Sequence, residues 1–169
     1  MAGTARHGWV YGWMLHLVVT AAAVWIPLAA ELTPANVADN EAARPLLDEL
    51  PAAVRYVLGD RHYNAPAVRA ACEGAGRTLV ASHYGAYPHR DGGVEVRRVF
   101  HQVRSVAIEN FNEHFKAIFG AHAQVPTRGL QPTRRFALGA VLVYQLTLLH
   151  RFEHDQDLRV GLKVCLLAA

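Results

Sequence analysis

Apolar residues follow two spacings along the chain, one typical of strands and one typical of helices, and together they predict an α/β fold. Short runs rich in β-branched and aromatic residues predict strands at residues 11–19, 24–32, 54–58 and 78–82. Apolar residues at helical spacing predict helices at residues 40–50, 66–74, 94–119 and 134–152. Pro45 is expected to start or interrupt the first of these helices. A loop is expected at residues 83–93, which are rich in Gly, Tyr, Pro and His.

The predicted helix at residues 94–119 is amphipathic. At about 100° per residue, one apolar stripe contains Val96, Phe100, Val103, Ala107, Phe111, Phe115 and Ile118. Glu109 falls nearly opposite that stripe, in a polar group that includes Arg98, Asn112 and Lys116. A solvated helix face is the simplest interpretation of this group, and a binding surface is the alternative.

Residues 8–30 form an apolar stretch after Arg6 that has to be weighed as a signal peptide or a membrane helix. Its polar and helix-breaking residues, together with its aromatic and β-branched content, favour two strands instead. We expect a hairpin that turns at Ala21–Ala23, with Pro27 on an edge strand and no membrane insertion.

The composition indicates a globular domain that carries a local excess of positive charge. The chain has 169 residues, of which 52% are hydrophobic, and a formal net charge of +3. Residues 94–135 contain seven basic and three acidic residues, and Arg128, Arg134 and Arg135 cluster near the end of this range. This excess suits contacts with phosphates, although a solvated basic surface would have the same composition. Cys72 and Cys165 are too few for a zinc site or a disulfide framework, which favours buried thiols in a reducing cytoplasm.

Two acidic residues stand out because of their settings. Asp60 ends the apolar run Val57–Gly59, and α/β sheets carry their chemistry at such strand ends. Glu109 lies on the polar face of the long helix. A turn residue and a solvated acid explain each of them separately, whereas together they suit a hard divalent cation that prefers oxygen ligands.

Four segments carry a resemblance to a known family. They are YGWMLHL at residues 11–17, LTPANVAD at 32–39, VLGDRHY at 57–63 and IENFNEHFK at 108–116. In this order and spacing they resemble the later part of a DDE transposase of the bacterial insertion-sequence type, over roughly residues 8 to 150. The resemblance implies a ribonuclease H-like mixed sheet flanked by helices, with three acids around two Mg²⁺ ions.

The resemblance also implies roles for individual residues. Asp60 matches the second catalytic, metal-binding acid of the family, and Glu109 matches the third. Lys116 matches a lysine that contacts transposon-end DNA, and Arg98, Arg104 and Asn112 are candidate DNA contacts beside it. The implied activity is cutting and strand transfer of DNA at transposon ends. The implied partners are inverted-repeat ends and target DNA, together with a second copy of the chain in a homodimer or an upstream transposase fragment.

The first acid of the family and its opening, central strand have no counterpart, and Asp39 matches a separate family position. We therefore expect a partial catalytic domain at residues 1–152, followed by a tail at 153–169, that is inactive and poorly folded alone. In two alternatives, the chain is the downstream half of a split transposase, or a non-catalytic DNA-binding regulator that pairs with intact copies. A distant alternative is a zinc hydrolase that uses the H-x-x-E-H motif of His150, Glu153 and His154.

Overall fold

The computed structural model describes residues 2–4, 8–10, 12–21, 23–81, 93–120 and 125–159, with side chains omitted for 2–4, 8–10, 93–98 and 101. Ten strands and α-helices lie in these ranges. In chain order they are β1 Ala2–Thr4, β2 Gly8–Val10, β3 Trp13–Val19, β4 Pro27–Pro34, α1 Asp39–Asp48, β5 Tyr56–Gly59, α2 Pro66–Gly74, β6 Thr78–Ala81, α3 Gly93–Phe119 and α4 Leu130–Glu153. A single 3₁₀ turn, Arg61–Tyr63, connects β5 to α2. The predicted α/β class and the two long helices near the end are confirmed.

The described strands form three separate pairs. β1 and β2 pair antiparallel, as do β3 and β4, whereas β5 and β6 pair in parallel. The β3–β4 pair is the predicted hairpin, with Leu15 opposite Leu32 and Leu17 opposite Ala30. The pairing of β1 with β2 was not foreseen from the sequence.

The β3–β4 hairpin separates two hydrophobic cores because successive side chains of a strand point to opposite faces. On β3, Val18 packs against a core built from α1, α2 and β6, around Leu46 and Val68. Leu15 and Leu17 pack on the other face, against a core around Phe111 and Tyr144 of α3 and α4. The hairpin is therefore the middle layer between two layers of helices.

The helix boundaries show which local signals are decisive. The predicted bounds of α2 are reproduced, with Pro66 in its first turn. The expectation that Pro45 starts or interrupts a helix is wrong, since α1 begins at Asp39 and contains Pro45. Acidic residues Asp39 and Glu41 in its first turn favour that earlier start. α4 also begins earlier than predicted, at Leu130, after Gly129 turns the chain with a φ of 84°.

The apolar stretch near the beginning of the chain is not a helix in the part that the structure describes. Residues 13–19 and 27–34 are strands, and within the described ranges the helices are too short or too polar to cross a membrane. The loop predicted at residues 83–93 falls almost entirely outside the described residues.

Candidate functional site

Asp60 lies directly after the last residue of β5 and begins the 3₁₀ turn. Its Oδ1 atom accepts a hydrogen bond of 2.8 Å from the backbone N–H of His62, which caps that turn. Gly59 allows the turn to fold back closely, because a Cβ atom at Gly59 would lie 2.9 Å from the Cβ atom of Tyr63. The half-buried Asp60 carboxylate is therefore fixed by the main chain at the carboxyl end of the strand, where α/β proteins place their chemistry.

A second acid, Asp39, approaches the same place from the start of α1. The pKa of Tyr63 is raised to about 12, chiefly by burial and in addition by the negative charges of Asp39 and Asp60. Both carboxylates are therefore within electrostatic reach of one phenol. The sequence did not predict Asp39 as a site residue, because Asp39 matches a family position separate from the three catalytic acids. The only sequence feature that pointed to Asp39 was its place at the junction between a loop and a helix.

His16 links β3 to this polar group. Its Nε2 atom lies 2.8 Å from Thr33 Oγ1 on β4, and its Nδ1 atom lies 3.8 Å from Asp39 Oδ1. The side chain is buried, and this burial lowers the pKa of His16, although the nearby Asp39 and Glu31 carboxylates oppose that shift. The imidazole is therefore biased toward its neutral form at the edge of the site.

Glu109 lies on the exposed side of α3, as its spacing predicted. Ala107, Phe111 and Phe115 of the predicted apolar stripe are buried, and Glu109 is exposed. Lys116 follows Glu109 by seven residues, which is about two helical turns and returns to the same side. Glu109 and Lys116 therefore lie along one side of α3.

The three other predicted DNA contacts differ in their settings on α3. Asn112 and Arg104 are half-buried, and the side chain of Arg98 lies outside the described residues. The Nε atom of Arg104 is buried and has no hydrogen-bond partner among the described residues. Arg104 and Ile108 line the same cavity as Asp60, although Glu109, the next residue, is exposed.

The described residues bring together few side chains that could bind a metal ion. In the part of the chain that the structure describes, no group of three or more His, Cys, Asp and Glu side chains is placed to hold a metal ion. A pair of dications needs several carboxylate oxygens to offset its charge. The described residues do not form a two-ion centre by themselves.

The alternative zinc motif lies at the end of α4. The exposed rings of His150 and His154 have centroids 4.1 Å apart, and His154 Nδ1 lies 2.9 Å from the backbone carbonyl oxygen of His150. A main-chain hydrogen bond thus occupies one nitrogen of His154. The described residues around this pair supply no third ligand that would make the three-residue group of a zinc site.

Cys72 is fully buried, as expected from the sequence, and its burial raises the pKa of the thiol.

The predicted basic cluster is divided in the structure. Arg128 and Arg135 are exposed, whereas Arg134 Nη2 lies 2.7 Å from Glu31 Oε2. Two exposed arginines therefore remain for contacts with an anionic partner.

Residues 2–146 match the family model described as the transposase DDE domain, and the matched range contains Asp60, Glu109 and Lys116. No curated protein and no solved structure matches the chain.

Proposed function

The chain belongs to the transposase DDE domain family, and on that premise we propose that it is a catalytic domain of ribonuclease H-like architecture for DNA transposition. The activity proposed for the complete assembly is metal-dependent cutting and strand transfer at transposon ends. DNA, in the form of inverted-repeat ends and target, is the proposed partner, and the cytoplasm is the proposed location.

The observation that carries the proposal is the family match over most of the chain, including both candidate acids. The placement of those acids supports it. Asp60 follows the carboxyl end of β5, and Glu109 shares one side of α3 with Lys116. In this proposal Asp60 and Glu109 contribute carboxylates to a Mg²⁺ site, and Lys116 neutralises a phosphate of the DNA.

We propose further that the chain alone does not cleave DNA. Among the described residues, no group of three or more His, Cys, Asp and Glu side chains is placed to hold a metal ion, and two carboxylates leave half of the charge of two dications without compensation. As a second candidate, the exposed Arg128 and Arg135 favour a DNA-binding regulator without catalysis.

The test uses the full chain and duplexes from both flanks of its coding sequence, with a scrambled duplex of equal length. Binding is measured without divalent cations over a range of salt concentrations, and nicking is measured with Mg²⁺. We expect salt-dependent binding, a preference for the flanking duplexes and no nicking. Lys116→Gln should weaken binding roughly 3- to 10-fold and lower the slope of log K against log[salt] by about 0.9.

The matched control is Glu113→Gln, which changes an exposed acid on the same helix, leaves Lys116 in place and should not weaken binding. Absence of salt-dependent binding would refute the DNA-directed function. Nicking that requires Mg²⁺ and is lost in Asp60→Asn and Glu109→Gln would support the assigned acids and refute the claim of inactivity. Binding without preference for the flanks would favour the non-catalytic regulator.

A further inference from the structure

One side of α4 is apolar although it faces solvent. Leu142, Leu146 and Leu149 are 54%, 53% and 51% exposed, whereas folded chains usually bury leucine. At about 100° per residue, these three positions fall within about 60° of one another around the helix. They therefore form one continuous apolar surface, which we call the outer stripe of α4.

The described part of the chain leaves the outer stripe uncovered. Tyr144 and Leu148 lie roughly on the opposite side of α4, where they pack against α3 and the β3–β4 hairpin. After α4 the chain turns toward that buried side, because Leu158 packs against the same core. The described chain thus leaves α4 on the side away from the outer stripe.

Charges of opposite sign lie at the two ends of the outer stripe. Arg135 precedes the three leucines and Glu153 follows them, and both side chains are exposed. Both positions fall within about 20° of Leu142 around the helix. They are about 27 Å apart along the helix axis at a rise of about 1.5 Å per residue, which is too far for them to pair within one chain.

The outer stripe and its two charges are arranged symmetrically about position 144. Three pairs of residues are equidistant from that position: Leu142 with Leu146, Gly139 with Leu149, and Arg135 with Glu153. When two copies of a helix pack antiparallel about a twofold axis at position 144, each residue meets the other member of its pair. The sequence of α4 is therefore complementary to itself in this one orientation.

Each of the three pairs makes a favourable contact in that orientation. The central leucines pack against each other, and Gly139 lies opposite Leu149, so that a small residue faces a large one. Apart from its chain neighbours and the backbone of its own helix, no atom lies within 4 Å of a Cβ atom added at Gly139. Arg135 meets Glu153 twice, once at each end. A parallel pair would instead place like charges together.

We propose that the outer stripe of α4 binds a second copy of the chain, as an antiparallel α4–α4 pair with twofold symmetry. A contact built on one helix from each copy is at the low end of interface sizes, so we expect a dissociation constant on the order of 10 µM. Below that concentration the chain is a monomer and Arg135 is open to phosphates. The proposal rests on packing and charge, and holds whether or not the chain acts on DNA.

The first test measures the mass of the full chain by sedimentation velocity, from about 1 µM to about 300 µM. The original chain should change from monomer to dimer over this range. Leu146→Asp should stay monomeric, because the pair would bury two carboxylates in an apolar contact. The control is Val106→Asp, which changes an exposed apolar residue of α3 and should leave the association unchanged. Far-ultraviolet circular dichroism at the lowest concentration checks that both variants are folded.

The second test reverses charges and does not change the apolar contact. Arg135→Glu and Glu153→Arg each place like charges at both ends of the pair, and each should weaken association roughly 10-fold at low ionic strength. An equimolar mixture of these two variants should associate as the original chain does, because a copy with two acids then meets a copy with two bases. In the control, Arg44→Glu on the exposed side of α1 replaces Arg135→Glu, alone and in the mixture, and should neither weaken association nor rescue Glu153→Arg.

Three results would overturn the proposal. The first is a monomer at every concentration, and a loss of stability in Leu146→Asp would then identify other residues of the same chain as the cover of the outer stripe. The second is association that Leu146→Asp leaves unchanged, which would assign the contact to another surface. The third is a mixture of the two charge variants that associates no better than either variant alone, which would exclude the antiparallel pairing.

Discussion

Arg134 donates a hydrogen bond of 2.7 Å to Glu31 across 103 residues of sequence. The pair fastens the first turns of α4 to β4. Farther along the helix, Gln145 Nε2 donates a second hydrogen bond of 2.7 Å to the backbone carbonyl of Pro27 on the same strand. Since Arg134 is committed to Glu31, its charge is largely compensated and is less available to an external anion than the charges of Arg128 and Arg135.

This pairing predicts unequal roles for the three arginines in DNA binding. The double variant Arg128→Ala/Arg135→Ala should lower the slope of log K against log[salt] by up to about two, since each phosphate contact contributes about 0.9. Arg134→Ala should leave the slope unchanged and lower the free energy of unfolding by about 0.5–1 kcal/mol, because the pair is partly exposed. Equal slopes for the two variants would contradict the assignment.

Arg77 is predicted to be among the most sensitive positions for stability. It is buried, and its two terminal nitrogens donate to the backbone carbonyls of Leu47 and Leu50, at 2.6 Å and 2.7 Å, where α1 ends. Arg77→Met keeps much of the apolar stem and leaves both carbonyls without their donors, which should cost about 2–4 kcal/mol in urea unfolding. Arg44→Met, on the exposed side of α1, is the control and should cost less than about 0.5 kcal/mol.

His16 should make stability depend on pH. Burial lowers the pKa of His16 in the folded chain below its ordinary value of 6.5, so the unfolded chain takes up a proton first as the pH falls. The contribution is therefore fully present above pH 6.5 and is lost as the pH falls through the lowered pKa, with a slope of at most about 1.4 kcal/mol per pH unit.

Thermal or urea unfolding between pH 8 and pH 5 tests this dependence. His16→Gln keeps a polar partner for Thr33 and should flatten the pH dependence, whereas the exposed His150→Gln should retain it. A pH profile for His16→Gln that is parallel to the original would show that other groups cause the dependence.

Two glycines are predicted to respond in opposite directions to alanine. At Gly59 the added Cβ atom would lie 2.9 Å from Tyr63 Cβ, so Gly59→Ala should cost about 1–3 kcal/mol and displace Asp60. Gly139 lies inside α4, and apart from its chain neighbours and the backbone of its own helix no atom lies within 4 Å of the added Cβ, so Gly139→Ala should gain about 0.5–1 kcal/mol. Urea midpoints that shift in the same direction would refute this contrast.

Local patterns in the sequence predicted most elements correctly, because the spacing of apolar residues and the turn-forming residues act over short stretches. The bounds of α2 and the exposure of Glu109 are examples. The separation of the strands into pairs was beyond such patterns, since pairing depends on residues far apart in the chain. The start of α4 at Leu130, four residues before the predicted start, was also missed by these local patterns.

The candidate site was predictable only in part. Asp60 was identified from its position at the end of a strand, and Glu109 from its position on the polar face of a helix. Their joint role in a metal site stays a prediction. The link from His16 to Asp39, and the approach of Asp39 to Tyr63, connect β3, α1 and the turn after β5. The spacing of apolar residues does not predict contacts between different elements, because each residue follows the pattern of its own strand or helix.

The packing of α4 against β4 has a consequence for synthesis on the ribosome. The hairpin emerges before both helices that cover one of its apolar faces, and the second of them, α4, begins about a hundred residues later, at Leu130. At typical translation rates, this apolar face of the hairpin stays uncovered by α4 for roughly 5–20 s. Nascent chains of this protein should therefore engage a chaperone until α4 leaves the exit tunnel.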